Sequence, residues 1–365
     1  MSDWIGLFGN YETVGKKLKP HKTIDLDRSY AETDKLYSQR AVIQFNSTFV
    51  ELIDRWNYWR GFITFFSFIS LILMSFAFVY MVYSFDFGND YYTPSIWEIL
   101  FSGLVTIGLF LTAYGSWHFF NRECFRYTHY PIRFNRKLRK VYVIQPNKKL
   151  LVANWDDFNI GLQKGSPKLW DIRFSLLDEQ EKVTDTFALP FTDFSEYDNA
   201  LLGHWEFIRS YMEDDTPEKA FDALKQVFPI HNRKETIKES IERVMINNTS
   251  AYEQPIERLT RLAFWGTFPF VLIEIIGRII SIKTSKIPRF PDWVEHECFI
   301  DAEDPYNFEK YPKPKPPSEP IAPLEYVIYA VLLVISIILF LGFIDLLSMA
   351  KGENSGLLKA LFFWW

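Results

Sequence analysis

Two cysteines, Cys124 and Cys298, are all the thiol in a chain of 365 residues. So sparse a set makes no disulfide framework, and both read as free thiols facing a reducing compartment. Catalytic signatures are missing as well. There is no GxGxxG or GxxxxGK[ST] loop to cradle a phosphate, no HExxH to hold zinc and no GxSxG elbow to raise a nucleophile. Net charge is −5, which excludes a global pull towards nucleic acid. These absences leave no enzyme class with a warrant, and no cofactor is expected.

The absence that decides most is local. Gly61 to Ser84 is a run of 24 residues with no charged side chain. A helix rises about 1.5 Å per residue and a bilayer core needs roughly 20 apolar residues, so this run is long enough to cross. It lies too far from Met1 for a cleaved signal peptide. Ile99 to Trp117 is a second charge-free run, and Tyr326 to Ile344 a third. Trp56, Tyr58 and Trp59 precede the first run, and Tyr80, Tyr83, Tyr91 and Tyr92 close it, as interfacial aromatics do.

Charge gives the sidedness. The loop between the first two runs carries Asp86, Asp90 and Glu98 and no basic residue. From Arg122 to Lys149 there are nine basic residues, and Glu123 is the only acid. Lys and Arg concentrate on the cytoplasmic side of spans. The expectation is a hairpin with an outer loop, its N-terminus and the region after residue 120 in the cytoplasm.

A further apolar stretch, about Leu262 to Ile282, contains Pro269, Glu274 and Arg278. Thr267, Glu274, Arg278, Ser281 and Ser285 fall at helical spacing as a polar stripe, and Glu274 and Arg278, four apart, have the spacing of a helical ion pair. The segment either crosses with an internal pair or lies in the interface as an amphipathic helix. Arg258 and Arg261 before it and Lys283, Lys286 and Arg289 after it favour the interfacial or re-entrant reading.

The polar middle of the chain alternates like strands. IRFN, KVYVIQ, LLVANWDDF, NIGLQ, LWDIRFSLL and VTDTFALPF are separated by short turn-forming segments, the mark of an antiparallel meander or barrel. A helix is expected over Asn199–Glu213, with Leu202, Trp205, Ile208 and Met212 on one face. Six strands closed by one amphipathic helix resemble, in architecture, a pleckstrin-homology-type barrel. The expected fold class is therefore membrane α-helical plus α+β.

In sequence the organisation reads as a cytoplasmic segment over 1–57 and a transmembrane hairpin over 58–120, with spans at about 61–84 and 97–119. A cytoplasmic β-rich domain with C-terminal helices follows over 121–258, then the amphipathic or third membrane helix over 259–285. A Pro-rich acidic loop (286–324), a transmembrane helix (325–349) and an interfacial tail (350–365) complete the chain.

Candidate site residues are few. Arg133, Arg136, Lys137, Arg139 and Lys140 could grip anionic headgroups at about 1 kcal/mol each near a surface, or simply retain this side in the cytoplasm. Glu274 and Arg278 are the candidate intramembrane or interfacial ion pair. His296-Glu297-Cys298 is the nearest approach to a metal-ligand cluster, but no second pair stands at metal spacing. Asp156-Asp157 and Asp214-Asp215 read as turn or cap residues, because neighbouring side chains diverge.

The stretches YTHYPIRFNRKLRKVYVIQ, NWDDF and WEFIRSYM, with the later IPRFPDWVEHECFIDAEDPY, resemble an uncharacterised family of bacterial inner-membrane proteins. Members of that family are often encoded near type VI secretion or other polymorphic toxin loci. The resemblance covers about residues 56–310. It implies a multi-pass inner-membrane protein that binds and neutralises a secreted toxin, with a protein toxin as partner, while the basic stretch Arg133–Lys140 suggests an anionic lipid surface as a second partner. A structural or accessory component of a secretion or envelope assembly is the alternative, and a small transporter or channel has less support. Self-association is left open.

Overall fold

A computed structural model describes residues 14–17, 23–84, 95–164, 170–193, 199–249 and 268–312, with scattered positions between 327 and 345. The expected outer loop, the Pro-rich spacer from residue 313 and the aromatic tail fall outside the described residues. The chain divides into two compact units, one of Met1–Glu235 with Gly277–Lys315 and one of Thr236–Ile276 with Pro316–Trp365.

The first unit is α+β. All six expected strands form: β4 (Ile132–Asn135), β5 (Lys140–Ile144), β6 (Leu150–Asn154), β7 (Asn159–Lys164), β8 (Trp170–Leu177) and β9 (Val183–Asp193). The turns between them carry the left-handed backbone that tight reversals need. Arg139, Lys148 and Glu181 have φ of 49°, 66° and 61°. Asn135 Oδ1 accepts from Leu138 N, and Asp178 Oδ1 from Gln180 N and Lys182 N, which locks two of these turns through side chains. Pro190 sits where the β8–β9 register slips between Asp171 and Arg173, a place where a missing N–H is tolerated.

The N-terminal segment is not separate from this domain. Thr23–Asp25 (β1), Val42–Phe45 (β2) and Phe49–Leu52 (β3) are strands, β1 paired with β7 and β3 with β4. Two antiparallel sheets result, β1-β7-β8-β9 and β2-β3-β4-β5-β6. They do not close into the single barrel that was expected. The chain breaks between β6 and β7 at a 3₁₀ turn, Trp155–Asp157, which hands it from one sheet to the other.

The sheets meet through aromatic rings. Phe134 of β4 lies 5.7 Å from Phe174 of β8 and 6.3 Å from Phe187 of β9. Trp155 stacks on Trp205 at 6.1 Å and 13°, so the expected helix α4 (Asn199–Glu213) covers this core. Trp155, Trp205, Phe134 and Phe174 are essentially fully buried, each contributing about 2–3 kcal/mol of apolar burial.

Before β4 run α1 (Trp56–Trp59) and two long apolar helices, α2 (Phe62–Ser84) and α3 (Ile96–Glu123). Both are long and apolar enough to cross a membrane. Ser95 starts α3 with a capping box: its Oγ accepts from Glu98 N and its own N–H donates to Glu98 Oε2. After α4 come α5 (Glu218–Ala223) and α6 (Ile237–Thr249), then α7 (Phe268–Thr284) and α8 (Asp292–Glu297). In the second unit, Thr236 and Glu239 form a second capping box at the start of α6, and the described positions between 327 and 345 are helical.

Candidate functional site at the base of the helical hairpin

Where α2 begins and α3 ends, polar groups are buried together. Glu123 is fully buried at the last position of α3. Its carboxylate accepts from Gly61 N (3.1 Å), Thr64 N (2.9 Å) and Thr64 Oγ1 (2.6 Å). It therefore caps the first turn of α2, where orphan N–H groups and the positive end of the helix dipole favour an anion. The Glu123 carbonyl is equally engaged. It accepts from Arg60 Nη2 at 3.2 Å and from Ser281 and Ser285 Oγ at 3.0 and 2.9 Å. Ser281 and Ser285 lie one helical turn apart at the end of α7. Arg60 also donates to Tyr127 O at 2.7 Å, and burial lowers its pKa while Glu123 and Asp54 oppose that.

Backbone proximity tightens the joint. A Cβ placed on Gly277 of α7 would lie 1.9 Å from the Gly61 carbonyl oxygen, so only glycine fits there. Gly61 itself has φ of 113°, a conformation closed to most L side chains.

Arg278, next to Gly277, is completely buried. It reaches Glu235 with Nε (3.0 Å) and Nη2 (2.7 Å), and Asn57 O and Oδ1 with Nη1 (2.7 Å) and Nη2 (2.8 Å). The partner is thus Glu235 and not Glu274, the residue one turn away that sequence spacing suggested. A planar guanidinium fork is satisfied by two-point acceptors, and the fold supplies two of them from distant segments.

The basic stretch is spent inside the molecule. Arg133 lies between the rings of Phe49 and Phe290, 4.3 Å from each centroid, and binds Glu51 (2.7 Å) and Glu295 (2.9 Å). Burial works against its charge, but the two carboxylates more than offset this and its pKa rises. Arg136 donates to the carbonyls of Tyr211 and Asp214, closing the end of α4. Arg139 bridges Asp156 and Glu213, and Lys140 binds Glu297. Lys137 is the member of the set left exposed. Four of these five residues hold the fold, so the expected headgroup grip is not built from them.

Arg133 and Lys140 hold the acidic segment after α7. Glu295 and Glu297 of α8 take Arg133 and Lys140, Tyr142 donates to Glu297, and Asn135 Nδ2 donates to the Glu297 carbonyl at 2.8 Å. Burial, then the Glu297 hydrogen bond, raise the Tyr142 pKa. His296 points to solvent while Cys298 is buried against the sheet. Among the described residues no three His, Cys, Asp or Glu side chains gather as a metal site. The adjacent acids behave as expected: Asp156 and Asp157 lie in the 3₁₀ turn, and Asp214 accepts from Ser210 at the end of α4.

What this polar collar does chemically is to fix three helices to each other and to the domain. Sequence reasoning placed Ser281 and Ser285 on the polar stripe of α7 without giving them a partner, and it did not single out Arg60. The available signal was Glu123, alone among nine basic residues, and Arg60, the last charge before the apolar run.

Residues 109–302 match a family described as a family of unknown function, DUF6708. That is just over half of the chain. The chain belongs to the DUF6708 family. The DUF6708 match takes in the second half of α3, strands β4–β9 and helices α4 to α8, and so contains Glu123, Arg278, Ser281 and Ser285. The first apolar helix and strands β1–β3 lie outside it. No curated protein and no solved structure matches the chain.

Proposed function

We propose that α2 and α3 cross a bilayer as a hairpin, and that the chain is a multi-pass inner-membrane protein displaying its β-rich unit to the cytoplasm. One observation carries this reading: a two-helix hairpin turns large apolar side chains outward along its length, yet its base is fastened to a folded unit by buried hydrogen bonds. Phe76 is 71% exposed, Trp97 76% and Phe110 69%. A contiguous apolar surface of this extent calls for a membrane or a partner. The basic residues that follow α3 support a cytoplasmic base.

The role we propose is binding, not catalysis: the protein neutralises a secreted toxin that acts at or through the inner membrane, by contact and occlusion. Confinement to the membrane raises its effective concentration beside such a target. Support comes from the family-like stretches and from the absence of catalytic signatures in the sequence. Arg278, engaged by Glu235 and Asn57, lends no support to a channel.

Deletion strains test the role. Mutants lacking the gene should be killed by toxin-armed sister cells and grow normally without them. Survival equal to the wild type sinks the immunity reading. Stable co-purification with a secretion or envelope assembly would instead favour the accessory role. Sidedness is tested with Lys137→Cys in a Cys124→Ser/Cys298→Ser background, because both native thiols are buried and Lys137 is exposed. Labelling from the periplasm overturns the orientation.

A further inference from the structure

We propose that the base of the hairpin carries a binding site for anionic lipid headgroups, built from Arg126, Lys283 and Lys286 with Arg122 at its rim. This deepens the membrane reading above and rests on it. The segments after α3 and after α7 run side by side: Lys286 N donates to Arg126 O at 2.7 Å, and Thr128 N to Lys286 O at 2.8 Å. Ser281 and Ser285 both bind the last carbonyl of α3, which brings Lys283, on the turn between them, to the same end of the hairpin. Its carbonyl accepts from a further cation, Lys234, at 2.7 Å. Arg122 lies 5.7 Å over the Phe119 ring.

Two features separate this group from Arg133, Arg139 and Lys140. Arg126, Lys283 and Lys286 are exposed, and among the described residues none of them forms an ion pair. Arg133, Arg139 and Lys140 by contrast are bound to carboxylates. Beside the cations stand exposed aromatics. Trp117 is 51% exposed and Phe125 57%, and Phe125 is held outward by a left-handed backbone with φ of 60°. An aromatic edge bordering clustered positive charge suits the headgroup layer, where rings enter the apolar side and cations meet phosphates. The aromatic edge selects a lipid over free phosphate, which offers nothing for Trp117 or Phe125 to contact.

The test uses the full chain in micelles of equal phosphatidylglycerol and phosphatidylcholine, with bound lipid counted by native mass spectrometry. The wild type should retain phosphatidylglycerol preferentially. Arg126→Gln/Lys283→Gln/Lys286→Gln should lose that preference by about fivefold per charge removed, the factor expected for one basic residue near an anionic surface. Lys137→Gln, exposed but away from the collar, should keep it. Lys286→Gln alone should show a single-charge loss, which covers the case of a misfolded triple variant. Equal retention of both lipids by the wild type, or an unchanged preference in both collar variants, overturns the site. Displacement of the lipid by millimolar inorganic phosphate overturns the lipid assignment. Alkaline carbonate washing of membranes separates the two levels. Release of the chain overturns the spanning reading and the site with it, whereas retention without lipid preference overturns the site alone.

Discussion

Glu123 accepts both the N–H and the hydroxyl of Thr64, at 2.9 and 2.6 Å. The last residue of one apolar helix thereby caps the first turn of the other. The hairpin is closed at its base by a carboxylate, and the carbonyl of the same residue ties it to α7.

Removing that carboxylate should loosen the joint in a graded way. Glu123→Gln keeps the shape and loses the charge, and should cost about 1.5–3 kcal/mol, the range for hydrogen bonds to a charged group. Glu123→Ala should cost more, because Gly61 N, Thr64 N and Thr64 Oγ1 then also lose their buried acceptor. Thermal unfolding in detergent measures both. Midpoints unchanged in the two variants would refute the capping role.

Gly277→Ala has opposite signs in isolation and in the fold. In a free helix the change stabilises by about 1 kcal/mol. Here the new methyl would meet the Gly61 carbonyl oxygen at 1.9 Å, so the backbones of α2 and α7 must part, at a cost of about 1–3 kcal/mol. A raised melting temperature for this variant would show that the two helices do not meet at Gly61.

Arg133 and Arg139 make carboxylate pairs of unequal weight. Arg133→Lys leaves the charge but not the two-pronged contacts with Glu51 and Glu295, and should cost about 1.5–3 kcal/mol, with little dependence on salt because Arg133 and Glu51 are both buried. Arg139→Lys alters a pair that is 40% and 56% exposed on its two sides, and should cost under about 1 kcal/mol and less at high salt. Denaturant titrations at low and high ionic strength decide this. Equal costs for the two would overturn the contrast.

His204 gives a pH dependence with a definite sign. Its ring is fully buried and Nδ1–H donates to the Tyr37 carbonyl at 3.0 Å. Burial pushes its pKa from 6.5 down to about 4. Between those values the unfolded chain takes up a proton that the folded chain refuses. The contribution is whole above pH 6.5 and shrinks as pH falls, by up to about 1.4 kcal/mol per unit, until it levels near pH 4. His204→Gln should flatten the slope of stability against pH in this window by one proton. An identical slope would show that His204 does not set it.

Much of the fold could be read from the chain because its elements answer to local rules. Strands β4 to β9 fall on alternating runs between turn-forming segments, and α4 falls on a four-residue apolar stripe. The strands β2 and β3 were equally marked, by AVIQF and TFVELI around Asn46, whose Oδ1 accepts from Thr48 N and Phe49 N. Distance along the chain hid their membership, since the whole hairpin separates β3 from its neighbour β4. The fates of Arg133 and Arg278 were not legible. Glu51, Glu295 and Glu235 are remote in sequence, and spacing along one helix suggested Glu274 instead.

The sequence by itself determined that two helices are apolar enough to cross a membrane, where strands β4 to β9 fall, and which end of the hairpin is basic. Each follows from composition over a short window, acting through solvation and backbone geometry. Only the tertiary structure decided which charges are used up and which remain at the surface. A side chain's partner depends on what the fold brings within about 3 Å, and that distance is set by packing across the whole unit, which Gly277 against Gly61 and Glu123 beneath Thr64 define here.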